Sequence, residues 1–307
     1  MTPLAERLDG PWAGDVTFAR CRRSDAVEGA DLAVAGVPFD LAVSNRAGAR
    51  YGPRAIREQS LLVGEFPWGL WPWDFDPFAT HTVVDLGDAP RSVLWTGSPD
   101  SMVSGVQDWI ESVVPVASVL GLGGDHAISY PLIRAASTEH GPLSLVHLDS
   151  HTDTWDLGRG LNHGSMFRRA VEEGLVDPSR SIQIGIRTPN PDTLGFPIID
   201  AEALDEQGPA AAAARTIELV GDNPAYLTFD IDFLDPSFAP GTGTPVVGGP
   251  STLQARRLLR GLAGLRFVGA DVVEVAPAYD PSAQITALAG ATVALDLVHL
   301  MLSPGPR

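Results

Sequence analysis

The sequence predicts an α/β protein built on a mostly parallel sheet with helices over both faces. Three observations carry that expectation. Strand-like and helix-like segments alternate along the 307 residues. The strand-like runs are short, apolar and bounded by turn residues, as buried strands are. His126, Asp149, Asp230 and Glu274 all fall at or just after expected strand ends, the edge where open parallel sheets gather ligands. No repeat, low-complexity linker or composition break interrupts the pattern, so one domain over residues 1–307 is expected, opened by an irregular arm at 1–30.

Each element has its own signal. Residues 31–39 (DLAVAGVPF) form an apolar run that ends in turn residues. A glycine-rich loop follows at 44–54, and Pro53 suits the first turn of a helix over 54–62. Residues 65–78 (EFPWGLWPWDFDPF) are too rich in Pro and aromatic side chains for a regular helix and read as a packed loop or a subunit contact. Strands are expected at 82–86, 116–120, 142–149, 181–186, 226–230 and 267–275. Between and after them, helices are expected at 101–113, 129–140, 165–173, 209–220, 251–262 and 282–302. The 209–220 helix rests on an alanine run opened by Pro209.

Composition removes several function classes. The net charge of −17 argues against nucleic acid and anionic membrane as partners. There is no lysine, which excludes Schiff-base chemistry and a Walker-type phosphate loop. The single cysteine, Cys21, cannot form an internal disulfide. No uncharged apolar run is long enough to span a bilayer, and the N-terminal residues lack a signal-peptide core. A soluble, cytoplasmic protein is expected.

Six side chains point to chemistry: His126, Asp149, His151, Asp153, Asp230 and Asp232. In an extended chain Asp149, His151 and Asp153 start on one face. Four carboxylates and two imidazoles carry too much negative charge for one ion. Two divalent cations would neutralise them, with one carboxylate of each pair bridging. The oxygen-rich mixture favours Mn over Fe, Co or Zn. Such a pair can share a hydroxide that is nucleophilic near neutral pH. The Gly121–Gly124 run lacks the third glycine of a dinucleotide fingerprint, because His126 stands there, which opposes a nucleotide-dependent oxidoreductase. Its glycines are expected to turn the backbone so that His126 points inward. His147 reads as core or as a neighbour of the ligands; His81, His140 and His299 read as structural or exposed.

These motifs resemble those of the ureohydrolase family of arginase and agmatinase, most closely its bacterial agmatinase branch. They are GVPFD at 36–40, GGDH at 123–126, DSHTD at 149–153, FDIDFLDPSFAPGTGTP at 229–245 and DVVEVAPAYD at 271–280. The resemblance implies a three-layer α/β/α fold, a homo-oligomer (trimer or hexamer) and two Mn2+ per subunit. One ion would take His126, Asp149, Asp153 and Asp230, the other His151, Asp149, Asp230 and Asp232. The implied reaction is hydrolysis of agmatine to putrescine and urea, by attack of a metal-bridging hydroxide on the guanidinium carbon. Glu274 would grip the guanidinium through paired hydrogen bonds. His163 would move protons, and Asp153 could relay one. The loop at 240–245 would line the cleft without chemistry of its own, and Arg46 would shape the entrance or a subunit interface.

Two departures from the family pattern bear on this reading. Ser150 stands where the family commonly has alanine and is expected to point away from the metals. In the loop at 155–162, Arg159 and Asn162 occupy positions where agmatine-specific relatives often carry acids. An arginine beside the substrate tail would favour a carboxylate, as in 4-guanidinobutanoate or arginine, unless Asp156 counters it. A non-catalytic, metal-binding relative is opposed by the presence of every ligand together with Glu274 and His163.

Overall fold

The computed structural model describes residues 13–63, 73–94, 97–158 and 160–303. Among these, nine strands form one sheet: β1 (Arg22–Arg23), β2 (Leu32–Val37), β3 (Val83–Asp88), β4 (Ser118–Gly123), β5 (Ser144–Leu148), β6 (Ile182–Ile186), β7 (Ile198–Asp200), β8 (Ala225–Asp230) and β9 (Phe267–Val273). Their order is β1-β3-β2-β4-β9-β8-β5-β6-β7, and all the pairings are parallel. The helices are α1 (Gly52–Val63), α2 (Pro77–Thr80), α3 (Arg91–Leu94), α4 (Pro99–Glu111), α5 (Ser129–His140), α6 (Met166–Glu172), α7 (Ala201–Gln207), α8 (Pro209–Val220), α9 (Thr252–Gly261) and α10 (Ile285–Leu302).

Side chains of the central strands alternate between two separate apolar cores, which makes the expected three layers. Leu32 and Val34 of β2 face one core, shared with Ile56 of α1, Leu258 of α9 and Val293 of α10. Ala33, Ala35 and Val37 face the other, shared with Val106 of α4, Ile133 of α5 and Phe167 of α6. Parallel strands all end at one edge, so the chain leaves β4, β5, β8 and β9 beside one another, carrying the candidate site residues.

Several boundaries differ from the sequence reading for identifiable reasons. β2 stops at Val37, just before Pro38. β9 stops at Val273 because Glu274 turns into the left-handed region (φ 64°) and donates its N–H to the Gly124 carbonyl at 2.9 Å. Gly121 and Gly123 lie inside β4, not in a turn. A Cβ at Gly121 would stand 3.0 Å from Asp271 Cβ, and one at Gly123 would stand 2.6 Å from Val273. These glycines give the neighbouring strand room. Only Gly124 meets the expectation of a tight passage: a Cβ there would lie 2.3 Å from the Phe39 carbonyl. β1 and β7 are too short for a periodic signal. α7 did carry one, Asp200, which caps it by accepting from Ala203 N at 2.8 Å.

The N-terminal arm, where described, is tied to the sheet edge. Phe18 is fully buried, its N–H donates to Asp85 at 2.7 Å, and β1 pairs with β3. Residues 1–12, residues 65–72 of the aromatic stretch and Arg159 lie outside the described residues. The described end of the stretch packs as expected: Trp73 stacks on His299 of α10, ring centres 5.1 Å apart. Alone among the described helices, α10 is long and apolar enough by composition to cross a bilayer, but it packs on α1, α9 and β9 and is mostly buried. Asp296 is its one acid. It meets Arg256 at 2.6 Å and accepts from the Trp73 indole at 2.8 Å.

Arg256→Ala would leave Asp296 as a buried charge without its cation. Removing one partner of such a pair costs about 3–5 kcal/mol. Urea denaturation should show that loss; an unchanged midpoint would mean that water reaches Asp296 freely.

Candidate metal centre and active site

Each candidate ligand is delivered by a strand end and fixed by local backbone bonds. After β4, Asp125 caps a short 3-10 turn (His126–Ile128), accepting from Ala127 N at 3.1 Å and from Ala42 N at 2.8 Å. This turn aims His126 inward. After β5, Asp149 Oδ1 accepts from His151 N at 2.7 Å. At the end of β8, Asp230 Oδ1 accepts from Asp232 N at 2.8 Å and so starts the turn that carries Asp232. Two of the six described non-glycine residues with positive φ are Asp153 (53°) and Glu274 (64°). Such backbone costs about 1–3 kcal/mol per residue and persists where the surroundings enforce it.

The structure brings all six expected ligands into two adjoining clusters. In the first, His126 Nδ1 lies 3.1 Å from Asp149 Oδ2, 2.9 Å from Asp153 Oδ2 and 3.2 Å from Asp230 Oδ2. All four side chains are buried, and Nδ1 has no hydrogen-bond partner despite three oxygens around it. In the second, His151 Nδ1 lies 3.4 Å from Asp149 Oδ1 and 3.2 Å from Asp232 Oδ2. Asp149 thus offers one oxygen to each cluster. Asp230 turns Oδ2 to the first cluster, while its Oδ1 accepts from the backbone N–H of Asp232 in the second.

Donor atoms about 2.1 Å from one octahedral ion stand about 3 Å apart. The first cluster has that spacing, and its orphaned nitrogen is one that a cation would satisfy. Electrostatics agree. Burial, with the charges of Asp232 and Asp149, pushes Asp230 well above the usual carboxylate range. Burial and Asp149 also raise Asp232. Burial would raise Asp149 too, but the imidazoles of His147, His126 and His151 hold it well below that range. Burial opposes charge on His151, yet Asp149 and Asp232 push it up to about 12. The residues fit a pair of divalent cations.

Beneath the clusters, a row of polar side chains crosses the sheet in register. Gln183, His147, Thr228 and Asp271 are successive neighbours on β6, β5, β8 and β9, and Gly121 of β4 ends the row. All four polar side chains are fully buried. Thr228 Oγ donates to Asp271 at 2.5 Å, so it accepts from His126 Nε2–H at 2.8 Å. That bond leaves the Nδ1 lone pair of His126 facing the three carboxylates, as a ligand requires. The row escaped the sequence reading, although its signal was present: single polar residues inside otherwise apolar strands.

One further expectation changes. Ser150 does not point away. Its hydroxyl donates to Asp232 Oδ1 at 2.6 Å and lies 3.0 Å from His151 Nδ1. The loop at 240–245 lines the pocket through Thr244, as expected, and Thr244 Oγ also donates to Asp232 Oδ2 at 3.2 Å. Arg187, unnoticed in the sequence, ties that loop to the ligand turn by donating to the carbonyls of Asp232 (2.7 Å) and Val246 (2.9 Å). Arg46 lies over the Tyr279 ring at 5.0 Å.

His163 and Glu274 meet beside the first cluster. Glu274 Oε1 accepts from His126 N at 2.8 Å and from His163 Nδ1 at 2.9 Å, while its buried Oε2 has no partner. Ser44 N donates to His163 Nε2 at 2.9 Å. Burial opposes charge on His163, but Glu274 outweighs it and pushes the imidazole up to about 9. The Ser44 N–H favours the neutral ring and the carboxylate favours the charged one. A histidine held between these demands can take up and release a proton. A pocket of about 370 Å³ opens over His151, Asp153, Asp230 and His163, with Trp155 and Leu157 in its wall. Its described lining contains no arginine.

Comparison with known proteins agrees with this geometry. The model of the arginase family matches residues 30–299. An agmatinase of Chromobacterium violaceum is 45% identical over 300 residues, covering 96% of this chain and 91% of the relative. The crystal structure of a hypothetical agmatinase from Burkholderia thailandensis superposes with a TM-score of 0.91 at 47% identity, covering 95% of this chain and 92% of that one. Proclavaminate amidino hydrolase from Streptomyces clavuligerus superposes with a TM-score of 0.89 at 34% identity, covering 96% and 99%.

Thr228→Val keeps the side-chain shape and removes the acceptor for His126 Nε2–H. Supporting bonds of this kind are worth about 10–100-fold in metal affinity. Calorimetric titration with Mn2+ should show a loss in that range; wild-type affinity would mean that Thr228 does not orient His126.

Proposed function

The chain belongs to the arginase family of ureohydrolases, and we propose that it hydrolyses agmatine to putrescine and urea with two Mn2+ per subunit. One observation carries the metal reading: Asp149 gives one oxygen to each of two adjoining donor clusters. His126, Asp149, Asp153 and Asp230 would hold one ion. His151, Asp149 and Asp232 would hold the other, with Asp230 extending to it as the family resemblance implies. The oxygen-rich donor set favours Mn. When bound, such a pair neutralises the carboxylates and makes hydroxide available near neutral pH.

The side chains supply the rest. Glu274 Oε2, buried and without a partner, accepts from the guanidinium of the substrate in a charge-assisted bond. Water adds to the guanidinium carbon, and the bond from that carbon to the substituted nitrogen breaks. His163, held between Glu274 and Ser44, delivers a proton to the departing amine. Asp153, at the pocket floor, relays the proton lost by water. Trp155 and Leu157 flank the methylene chain of the substrate. The agmatinase relatives support agmatine as substrate. The reading includes a homo-oligomer, a trimer or hexamer, in the cytoplasm.

A second reading, hydrolysis of another guanidino compound, follows from the presence of Arg159 in the sequence of residues 155–162 and from the likeness to an amidino hydrolase with a different name. Urea release with Mn2+ present should be fastest on agmatine among agmatine, 4-guanidinobutanoate and arginine. A faster reaction with 4-guanidinobutanoate or arginine would move the assignment to that substrate; no urea from any of the three would refute the activity.

A further inference from the structure

His147 stands as close to the first cluster as the ligands do. It forms one compact donor group with His126, Asp149 and Asp153 and is fully buried. Its ring packs on Phe167, centres 4.6 Å apart. The two ring nitrogens have different neighbours. Nε2 lies 2.7 Å from Asp149 Oδ2, and Nδ1 lies 3.0 Å from Gln183 Nε2.

The Thr152 carbonyl decides which way the Gln183 amide faces. It lies 2.6 Å from Gln183 Nε2, and a carbonyl only accepts. The atom between Thr152 and His147 is therefore the amide NH2, with one hydrogen for each. His147 Nδ1 accepts the second hydrogen, so the ring proton sits on Nε2 and is donated to Asp149. In the other tautomer, Nε2 would turn a lone pair towards Asp149 and the ion. That would add an imidazole to the donor set, and nitrogen-rich sets suit Zn or Cu better than Mn.

We propose that Gln183 is a positioning residue of the metal centre: it fixes the His147 proton on Nε2, so that His147 orients the shared Asp149 as a hydrogen-bond donor and stays out of the ligand set. This rests on the two-metal reading above. Gln183 lies on β6, the strand next to the β5 end that delivers Asp149, and acts through His147.

A double-mutant cycle tests it, with Mn2+ alone titrated into the full-length protein. Gln183→Met removes the donor at similar volume and should weaken Mn2+ binding about ten-fold or more. His147→Gln places an amide N–H near the Nε2 position and has no tautomer to fix. In that background Gln183→Met should cause no further loss, a non-additive cycle. Equal losses in both backgrounds would mean that Gln183 acts through the Thr152 carbonyl alone and would overturn the proposal, as would unchanged binding in Gln183→Met. Nitrogen-15 NMR of histidine-labelled wild-type protein gives a check that needs no variant: His147 should carry its proton on Nε2, and a proton on Nδ1 would overturn the proposal. Failure of the wild-type chain to bind Mn2+ would instead refute the two-metal reading itself.

Discussion

Asp149 is the interaction on which the rest of the centre depends. It is fully buried, donates nothing, and faces three imidazoles: His126 and His147 on one oxygen and His151 on the other. Asp153, Asp230 and Asp232 crowd the same volume. Like charges buried this closely raise one another's proton affinity, as Asp230 and Asp232 show. The fold stabilises the cluster by placing donors around it, and divalent cations would complete the electrostatic balance. Metal affinity and fold stability are in that sense two sides of one arrangement.

The sheet makes this arrangement possible. Parallel strands end together, so four strand ends bring His126, Asp149, Asp230 and Glu274 to one edge without any long loop carrying a candidate ligand alone. One level below, the in-register row from Gln183 to Asp271 supplies the hydrogen bonds that set tautomers above it. Gly121 closes the row because a side chain there would collide with Asp271 and Leu132. Rigid strands therefore hold both the ligands and the groups that orient them, which is the condition for a precise metal site. The strained backbone at Asp153 and Glu274 is tolerated because both residues are bound on several sides.

Much of this was legible in the sequence because it follows local patterns. The apolar runs located seven of the nine described strands. The spacing of Asp149, His151 and Asp153, matched by Asp230 and Asp232, marked the candidate ligands, which the structure brings together. What could not be read depends on contacts between distant segments. The Thr228–Asp271 and Gln183–His147 pairs form only after strand register is set. The hydroxyl of Ser150 looked outward from its own segment and found Asp232, 82 residues on. The glycines of β4 looked like a turn because glycine has the same signature whether it bends a chain or makes room for a neighbour.

With one oxygen turned to each cluster, Asp149 would belong to two metal ions at once. Metal analysis after equilibrium dialysis against Mn2+ addresses it directly, comparing wild type with Asp149→Asn, an isosteric change that removes the charge. The account predicts two ions per wild-type chain and loss of affinity at both sites in the variant. A variant that keeps one site at wild-type affinity, or both, would contradict the bridging role.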